Sequence, residues 1–262
     1  MTQLQVNQFS HGLLNPGIGC LLSCLGSFLG LRCLTRARAY TGRTRATWLL
    51  IASVALGGTG IWVMHFVAML GFTVRGLTIT YDPLVTVISM LIAIGVVGVG
   101  LTVAVTGRAT LPALGLAGLL TGIGVVSMHY LGMSAMRMAA TVHYRPMLVL
   151  ASIVIAVVAA TAALWAAVHI RGVPATLAAS AVMGVAVTGM HYTAMAAAQL
   201  YPAPPPSSLG LTPGQLLMPM VSGVGISTVV MLFIVGLAPS EREIKEHAQI
   251  QEELRLIRER RG

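Results

Sequence analysis

The sequence predicts an all-α membrane protein with seven transmembrane helices, built as one extra helix followed by three tandem two-helix repeats. Three observations lead to this prediction. Of the 262 residues, 56% are hydrophobic and 9% are charged, whereas soluble domains carry roughly 25% charged residues. Seven apolar runs are each long enough to cross a bilayer core of about 30 Å. One six-residue pattern occurs three times, at spacings of 64 and 62 residues.

The seven apolar runs follow one another through short connections. They cover residues 12–34, 48–72, 83–105, 112–136, 146–169, 173–200 and 215–237. Proline stands at or near several of the starts, where a missing backbone N–H costs a helix little. Residues 1–11 carry no Lys or Arg, and the first run is longer than the apolar part of a signal peptide. We therefore expect the first helix to be retained.

Basic residues are distributed unevenly between the two sides of these helices. Thirteen of the 16 Lys and Arg fall on one side, and only Arg75, Arg137 and Arg145 fall on the other. Because cytoplasmic loops carry the excess of positive charge, we expect the N-terminus outside and the C-terminus in the cytoplasm. The net charge of +9 is then a topology signal, and we expect no nucleic-acid partner.

Two regions follow from this pattern, a membrane domain over 1–238 and a charged cytoplasmic tail or linker over 239–262. In the tail, Ile250, Leu254 and Ile257 have helical spacing, and neither Pro nor internal Gly interrupts them. Two interpretations stay open. The tail is a helix that leads to a cytoplasmic signalling domain or joins two copies as a homodimer, or it is a solvated amphipathic end that favours anionic lipid headgroups.

The repeated pattern is Met-His-aromatic-x-x-Met. It reads MHFVAM at 64–69, MHYLGM at 128–133 and MHYTAM at 190–195. The three histidines lie 17 residues after Trp48, Pro112 and Pro174, so all three stand about 25 Å from the inner end, in the outer part of the membrane. Glycines stand seven residues before the histidines, at Gly58, Gly122 and Gly184. Small residues let helices approach closely, so we expect the three histidines to converge.

The histidines and methionines of the three copies are candidate metal ligands. A methionine four residues after each histidine shares its helix face, which gives the pairs His65 and Met69, His129 and Met133, and His191 and Met195. An imidazole in a low-dielectric layer needs a partner, and a shared metal is favoured over a structural hydrogen-bond cluster. Thioether and imidazole donors together suit copper, especially Cu(I). Met64, Met128 and Met190 point about 100° away from their histidines and pack between helices or serve a second ion.

The triplicated motif within seven spans resembles the MHYT domain of bacterial integral-membrane sensors, whose four naming residues stand here as Met190, His191, Tyr192 and Thr193. The resemblance covers roughly residues 10–238 and implies a protein of the bacterial inner membrane. It implies copper bound near the outer face, sensing of a diatomic gas such as oxygen, CO or NO, and a relay to cytoplasmic output domains. The implied metal ligands are Met64, His65, Met128, His129, Met190 and His191. The first copy departs from the motif, because Phe66 replaces the tyrosine.

Other functions of seven-helix proteins fit less well. The one lysine, Lys245, lies in the tail, so a retinal Schiff base cannot form within the membrane. Asp82 is the sole acid before the tail, which leaves no carboxylate relay for proton-coupled transport, and we expect no enzymatic activity. Two alternatives stay open: a copper transporter or chaperone, and a protein that binds haem through two of the histidines. No ladder of ligands continues inward for transport, and the neighbouring methionines would be redundant for haem.

Overall fold

Seven long helices make up most of the computed structural model, which describes residues 2–107, 110–206, 210–238, 243 and 249–250. They are α1 (Leu14–Ala39), α2 (Gly42–Met69), α3 (Pro83–Thr106), α4 (Leu111–Ser134), α5 (Pro146–His169), α6 (Val173–Ala197) and α7 (Pro213–Leu237). Each has the length and the apolar composition to cross a membrane. The predicted all-α fold with seven transmembrane helices is confirmed.

The first connection is much shorter than the sequence indicated. Helix α1 continues to Ala39 instead of residue 34, and α2 begins at Gly42 instead of residue 48. The arginines that flank this connection lie in helical turns, and Arg36, Arg38 and Arg45 bind carbonyls at helix ends. Arg45, for example, donates from Nε to the carbonyl of Tyr40 at 2.8 Å. At the opposite end, α4 and α6 stop two and three residues early, because the chain turns into short strands.

Helix α2 is irregular over ten residues. Between α-helical stretches at Gly42–Ser53 and Met64–Met69, the segment Val54–Val63 is a π-helix, which has wider turns than an α-helix. This π-helical segment contains three glycines, which favour the α-helix least among residues other than proline. Helix α1 crosses it so closely that a Cβ at Gly26 would lie 2.5 Å from the carbonyl oxygen of Ala55. Segments of this kind are rare and often occur at functional sites.

Six of the helices form a closed ring in which α2, α4 and α6 alternate with α1, α3 and α5. Helix α3 packs between α2 and α4, and α5 packs between α4 and α6. The corresponding place between α6 and α2 is taken by α1, although α7 follows α6 in the repeat order. Helix α7 instead packs outside the ring, against α1 and the π-helical segment. The extra helix therefore completes the symmetry of the ring, and α7 is left peripheral.

The outward faces of the helices are apolar. Leu91 of α3, Val158 of α5 and Phe233 of α7 are 59%, 63% and 66% exposed. A soluble protein does not present such side chains over most of its surface. These faces fit contact with lipid, the predicted partner.

Three small antiparallel sheets cover the end of the bundle at which α2, α4 and α6 finish. The strands are β1 (Val6–Asn7), β2 (Thr73–Val74), β3 (Thr80–Tyr81), β4 (Met136–Arg137), β5 (Ala140–Tyr144) and β6 (Ala198–Pro202). They pair as β1 with β2, β3 with β4 and β5 with β6, with Val6 opposite Val74, Thr80 opposite Arg137 and Ala140 opposite Pro202. We call this side the histidine end.

The opposite side, the arginine end, holds the arginines of the first connection. Arg36 of α1 donates from Nη2 to the carbonyls of Val235 and Ala238 at 2.6 and 2.9 Å, where α7 finishes. Arg38 donates to the carbonyl of Val168 near the end of α5. The two predicted groups of arginines thus lie at opposite ends of the bundle. That the arginine end faces the cytoplasm stays a prediction.

The predicted tail lies almost wholly outside the described residues. Only Glu243, Gln249 and Ile250 of 239–262 are described, all as helix, and Arg108 of the charge pattern is not described. The domain boundary at residue 238 stays a prediction.

Candidate metal centre

His65 of α2, His129 of α4 and His191 of α6 meet at the centre of the histidine end. The ring centroids lie 4.8 Å apart for His65 and His129, 5.0 Å for His65 and His191, and 5.1 Å for His129 and His191. The ring planes cross at 76° to 80°, so each pair of rings meets edge to face. All three side chains are buried, with at most 1% exposed. The predicted convergence of the three histidines is present, and we call them the histidine triad.

The Nδ1 atoms of the triad point toward one another. Nδ1 of His65 lies 3.1 Å from Nδ1 of His191 and 3.1 Å from Nδ1 of His129. Three nitrogens that each lie about 2.0 Å from one ion are about 3.3 to 3.5 Å apart, by the geometry of imidazole–metal sites. The two distances from His65 are close to this, and one nitrogen from each of the three residues lies within 4.8 Å of the others, so the triad fits a single metal ion.

Hydrogen bonds among the three rings cannot satisfy every nitrogen. A neutral imidazole carries one N–H and one lone pair. If Nδ1 of His65 carries the proton, that proton faces two acceptors, and if it does not, the single lone pair of Nδ1 can accept from only one of the two neighbours. One cation among the Nδ1 atoms would engage all three lone pairs at once. The Nε2 atoms of His65 and His129 are buried without a hydrogen-bond partner among the described residues.

Gly132 of α4 makes room for the ring of His65. A Cβ at this position would lie 2.5 Å from Nε2 of His65. Sequence reasoning missed this residue, although a signal was present. The fifth position of the motif is small in every copy, as Ala68, Gly132 and Ala194.

A collar of six aromatic rings surrounds the triad. Each motif aromatic meets the ring of its own histidine edge-on and also contacts one aromatic residue from the covering segments. The pairs and their centroid distances are Phe66 and Tyr81 at 6.0 Å, Tyr130 and Tyr144 at 5.0 Å, and Phe9 and Tyr192 at 5.3 Å. Phe66 fills its place without a hydroxyl, so the ring contacts of the collar do not depend on a hydroxyl at every position.

The covering aromatics were not predicted from the sequence. Tyr81 and Tyr144 stand 16 and 15 residues after His65 and His129, a weak signal, whereas Phe9 precedes the first repeat and had none. Burial raises the pKa of the Tyr144 hydroxyl to about 12 and raises that of Tyr81 above its usual range. Both hydroxyls therefore stay neutral at physiological pH.

Comparison with known proteins agrees with this architecture. The MHYT family model, described as a bacterial signalling protein N-terminal repeat, matches residues 58–117, 122–180 and 184–244. The chain belongs to the MHYT family. Together with seven apolar helices, this makes it a multi-pass protein of the inner membrane. The matched repeat is described by a signalling role rather than a catalytic one.

Several curated MHYT relatives are signalling proteins. The bifunctional diguanylate cyclase/cyclic di-GMP phosphodiesterase MucR of Pseudomonas aeruginosa is 39% identical over 184 residues, 68% of this chain and 27% of MucR. The cyclic di-GMP phosphodiesterase NbdA of the same organism is 36% identical over 219 residues, 80% of this chain and 27% of NbdA. An uncharacterized signaling protein of Caulobacter vibrioides is 32% identical over 217 residues, 83% of this chain and 26% of that protein. The chain spans about a quarter of the length of these relatives. No solved structure matches it.

The six methionines of the MHYT motifs are all buried. They are Met64, Met69, Met128, Met133, Met190 and Met195, each at most 2% exposed. Met64 packs against α1. A Cβ added at Gly19 of that helix would lie 3.4 Å from Cγ of Met64. Met190 lines a cavity on the arginine side of the triad. Metal ligation by the methionines stays a prediction.

In two of the three MHYT copies, a neighbouring helix approaches closely at the glycine that the sequence predicted. A Cβ at Gly122 would lie 2.6 Å from Cα of Val157, and one at Gly184 would overlap Cys24 of α1. In the first copy, Gly58 has nothing nearer than 3.8 Å, so the expectation there was wrong. Gly57 takes its place, 2.6 Å from the carbonyl oxygen of Ala93. The wide turns of the π-helical segment rotate Gly57 toward α3 in place of Gly58.

Proposed function

We propose that this protein is a sensor module that holds copper in the histidine triad, near the outer face of the inner membrane. Binding of a diatomic gas there is relayed to a cytoplasmic output. The observation that carries the proposal is the convergence of three buried histidines, with Nδ1 of His65 3.1 Å from the Nδ1 atoms of both others. Family membership supports the signalling role, and the signalling names of the relatives support an output on the cytoplasmic side.

The charge around the triad favours a monovalent ion. Asp82 is the sole acidic residue before residue 241, and it is paired with Arg137 at 2.9 Å. A divalent ion in this low-dielectric site would carry two charges without a counter-ion, which is costly. Cu(I) carries one charge and accepts imidazole and thioether donors. Three imidazoles leave a coordination position open, and this is the chemistry by which a small ligand such as oxygen, CO or NO would be bound.

The relay would pass through α2 and α7. His65 stands at the end of the π-helical segment, and Thr59 within that segment bonds Thr228 of α7 through their hydroxyls at 2.7 Å. Arg36 holds the far end of α7 through the carbonyls of Val235 and Ala238. A shift of His65 would therefore reach the helix that leads into the tail, toward an output domain or the partner tail of a homodimer.

Metal analysis of the purified protein tests the proposal. We expect copper to bind the wild type and to fall at least tenfold in the triple variant His65→Ala, His129→Ala, His191→Ala, because an ion loses all three nitrogens. His143→Ala is the matched control, since His143 is an exposed histidine of β5 at the same end. Its copper content should equal that of the wild type. Equal copper in the wild type and the triple variant would overturn the proposal.

The same preparation separates the two alternatives. A Soret band would favour haem, although imidazoles with centroids 4.8 to 5.1 Å apart leave no slot for a porphyrin between them. Copper uptake by proteoliposomes would favour transport. Next to the triad, however, the lining of the cavity offers only the thioethers of Met183 and Met190 and the hydroxyl of Thr121 as donors.

A further inference from the structure

A cavity of about 50 Å³ lies directly beneath the triad, on the side of the arginine end. Ile61, Val125 and Val187 line it, and each stands four residues, or one helical turn, before a triad histidine. Thr121 and Met183 line it one turn further down. The three repeats therefore contribute equivalent positions to the lining, and helices α3 and α5 supply most of the rest. We call this cavity the inner chamber.

The walls of the inner chamber are almost wholly apolar. The one hydroxyl among the lining residues belongs to Thr121, and its Oγ1 has no hydrogen-bond partner among the described residues. A buried water needs two to four polar partners and a volume of roughly 10–15 Å³. The chamber has the volume but lacks the partners. Apolar cavities of this kind stay dry and take up apolar guests such as xenon.

One wall of the inner chamber consists of small residues that reach toward the membrane. Helix α5 contributes four alanines, which are Ala156, Ala159, Ala160 and Ala163. Ala159, Ala163 and Val187 are half-buried, so the wall between α5 and α6 borders the outer, lipid-facing surface. Small apolar molecules concentrate in hydrocarbon relative to water, and this wall is where they meet the protein.

We propose that the inner chamber binds an apolar diatomic gas, which enters from the lipid between α5 and α6, and delivers it to the triad. The delivery step rests on the proposed function. Binding in the chamber does not, because it needs no metal. The gas then reaches the triad from the lipid through the chamber. It does not pass through the outer surface, which the three sheets and the aromatic collar cover.

Xenon is the probe for the chamber. We expect the metal-free protein under xenon pressure to show one xenon atom among Ile61, Val125 and Val187, by crystallography or by ¹²⁹Xe NMR. Ala160→Phe, at a buried lining residue, should remove this xenon. Ala162→Phe places the same side chain on the exposed face of the same helix and should keep it. The milder pair Ala160→Leu and Ala162→Leu serves if the larger side chain impairs folding. Absence of xenon in the wild type, or its retention in both Ala160 variants, would overturn chamber binding.

A second measurement tests delivery. In copper-loaded protein, the association rate of CO should fall at least tenfold in Ala160→Leu at unchanged copper content, and it should stay unchanged in Ala162→Leu. An unchanged rate in Ala160→Leu would overturn the route through the chamber. If the protein takes up xenon but the wild type fails to bind copper when copper is supplied, the chamber stands and the proposed copper sensor is overturned, so the two failures are distinguishable.

Discussion

Helices α2 and α4 carry the same motif and place their histidines in the same triad, yet they reach it differently. Helix α4 is α-helical throughout Leu111–Ser134. Helix α2 is longer, spanning Gly42–Met69, and passes through the π-helical segment just before His65. The position of the histidine is thus the same in the two repeats, whereas the backbone that supports it is not. A symmetric site does not require symmetric helices.

The two helices also differ in their neighbours. The π-helical segment of α2 packs against α7, and Thr59 bonds that helix. The residue of α4 that corresponds to Thr59 is Ile123, 64 positions later, and it is 47% exposed. Of the two helices, α2 is therefore the one that contacts α7, and it does so through its π-helical segment.

The largest expected effects come from the glycines at the helix contacts. Gly57→Ala and Gly122→Ala each place a Cβ within 2.6 Å of a neighbouring backbone atom, so each should destabilise the protein by about 1–3 kcal/mol, as overpacking does. Gly58→Ala should be neutral or slightly stabilising, because its Cβ meets nothing nearer than 3.8 Å. Reversible unfolding in detergent micelles measures all three. A costly Gly58→Ala with a neutral Gly57→Ala would mean that α2 is a regular helix like α4.

This contrast marks how far the sequence could predict the fold. The spans, the repeat and the convergence of the histidines follow from apolar length and from the motif at equal depth. The π-helical segment does not follow from the sequence pattern. Its formation depends on the close crossing of α1 at Gly26, which is a contact between distant parts of the chain. The sequence also did not show that α1 takes the place of α7 in the ring, since both are apolar runs of equal length.

The candidate site, like the fold, could be predicted only in part. His65, His129 and His191 were identifiable because they recur, and Gly132 was visible only as a small residue within the motif. Phe9 reaches the collar through the pairing of β1 with β2, which joins segments more than 60 residues apart. Such long-range pairing leaves little trace in a single sequence.

Gly132→Ala tests how the two motif helices divide the space around the triad. Its Cβ would displace the ring of His65, whereas α2 carries alanine at the same motif position without conflict. We expect copper affinity to fall about 10-fold, in the range found when the groups that orient metal ligands are altered. Gly115→Ala in the same helix is the control, since a Cβ there meets nothing within 4 Å. Competition titration with a copper chelator measures both variants, and equal affinities would show that the ring of His65 moves freely.

A smaller effect on stability distinguishes α3 and α5, the helices that follow the first two motifs. Asp82 caps α3 by accepting from the N–H of Val85 at 3.1 Å, whereas Arg145 begins α5 without a side-chain cap. Asp82→Ala should cost about 1 kcal/mol at neutral pH, the usual loss for an N-cap, and Arg145→Ala should cost less.

The loss at Asp82 should also depend on pH. The hydrogen bond from Arg137, together with that from Val85, holds the pKa of the Asp82 carboxyl below its ordinary 3.8. Its contribution is fully present above that value and is lost as the pH falls through the lower pKa of the folded state. The stability difference between wild type and Asp82→Ala should therefore shrink below about pH 4. A constant difference down to pH 3 would show that the charged carboxylate of Asp82 is not its source.

The smallest expected effect is the one that bears on signalling. The hydroxyl of Thr228 donates to the carbonyl of Val224 at 2.7 Å, so the hydroxyl of Thr59 must donate to Thr228. A double-mutant cycle of Thr59→Val and Thr228→Val should give a coupling energy of about 0.6 kcal/mol, the average for hydrogen bonds between membrane helices. Thr188→Val is the control, since the hydroxyl of Thr188 donates to the carbonyl of Gly184 in its own helix and to no other described residue. The coupling should change when copper is added, because the ion fixes His65 at the end of the π-helical segment. A coupling energy of zero, or one that copper leaves unaltered, would separate α7 from the triad and remove the relay through α2.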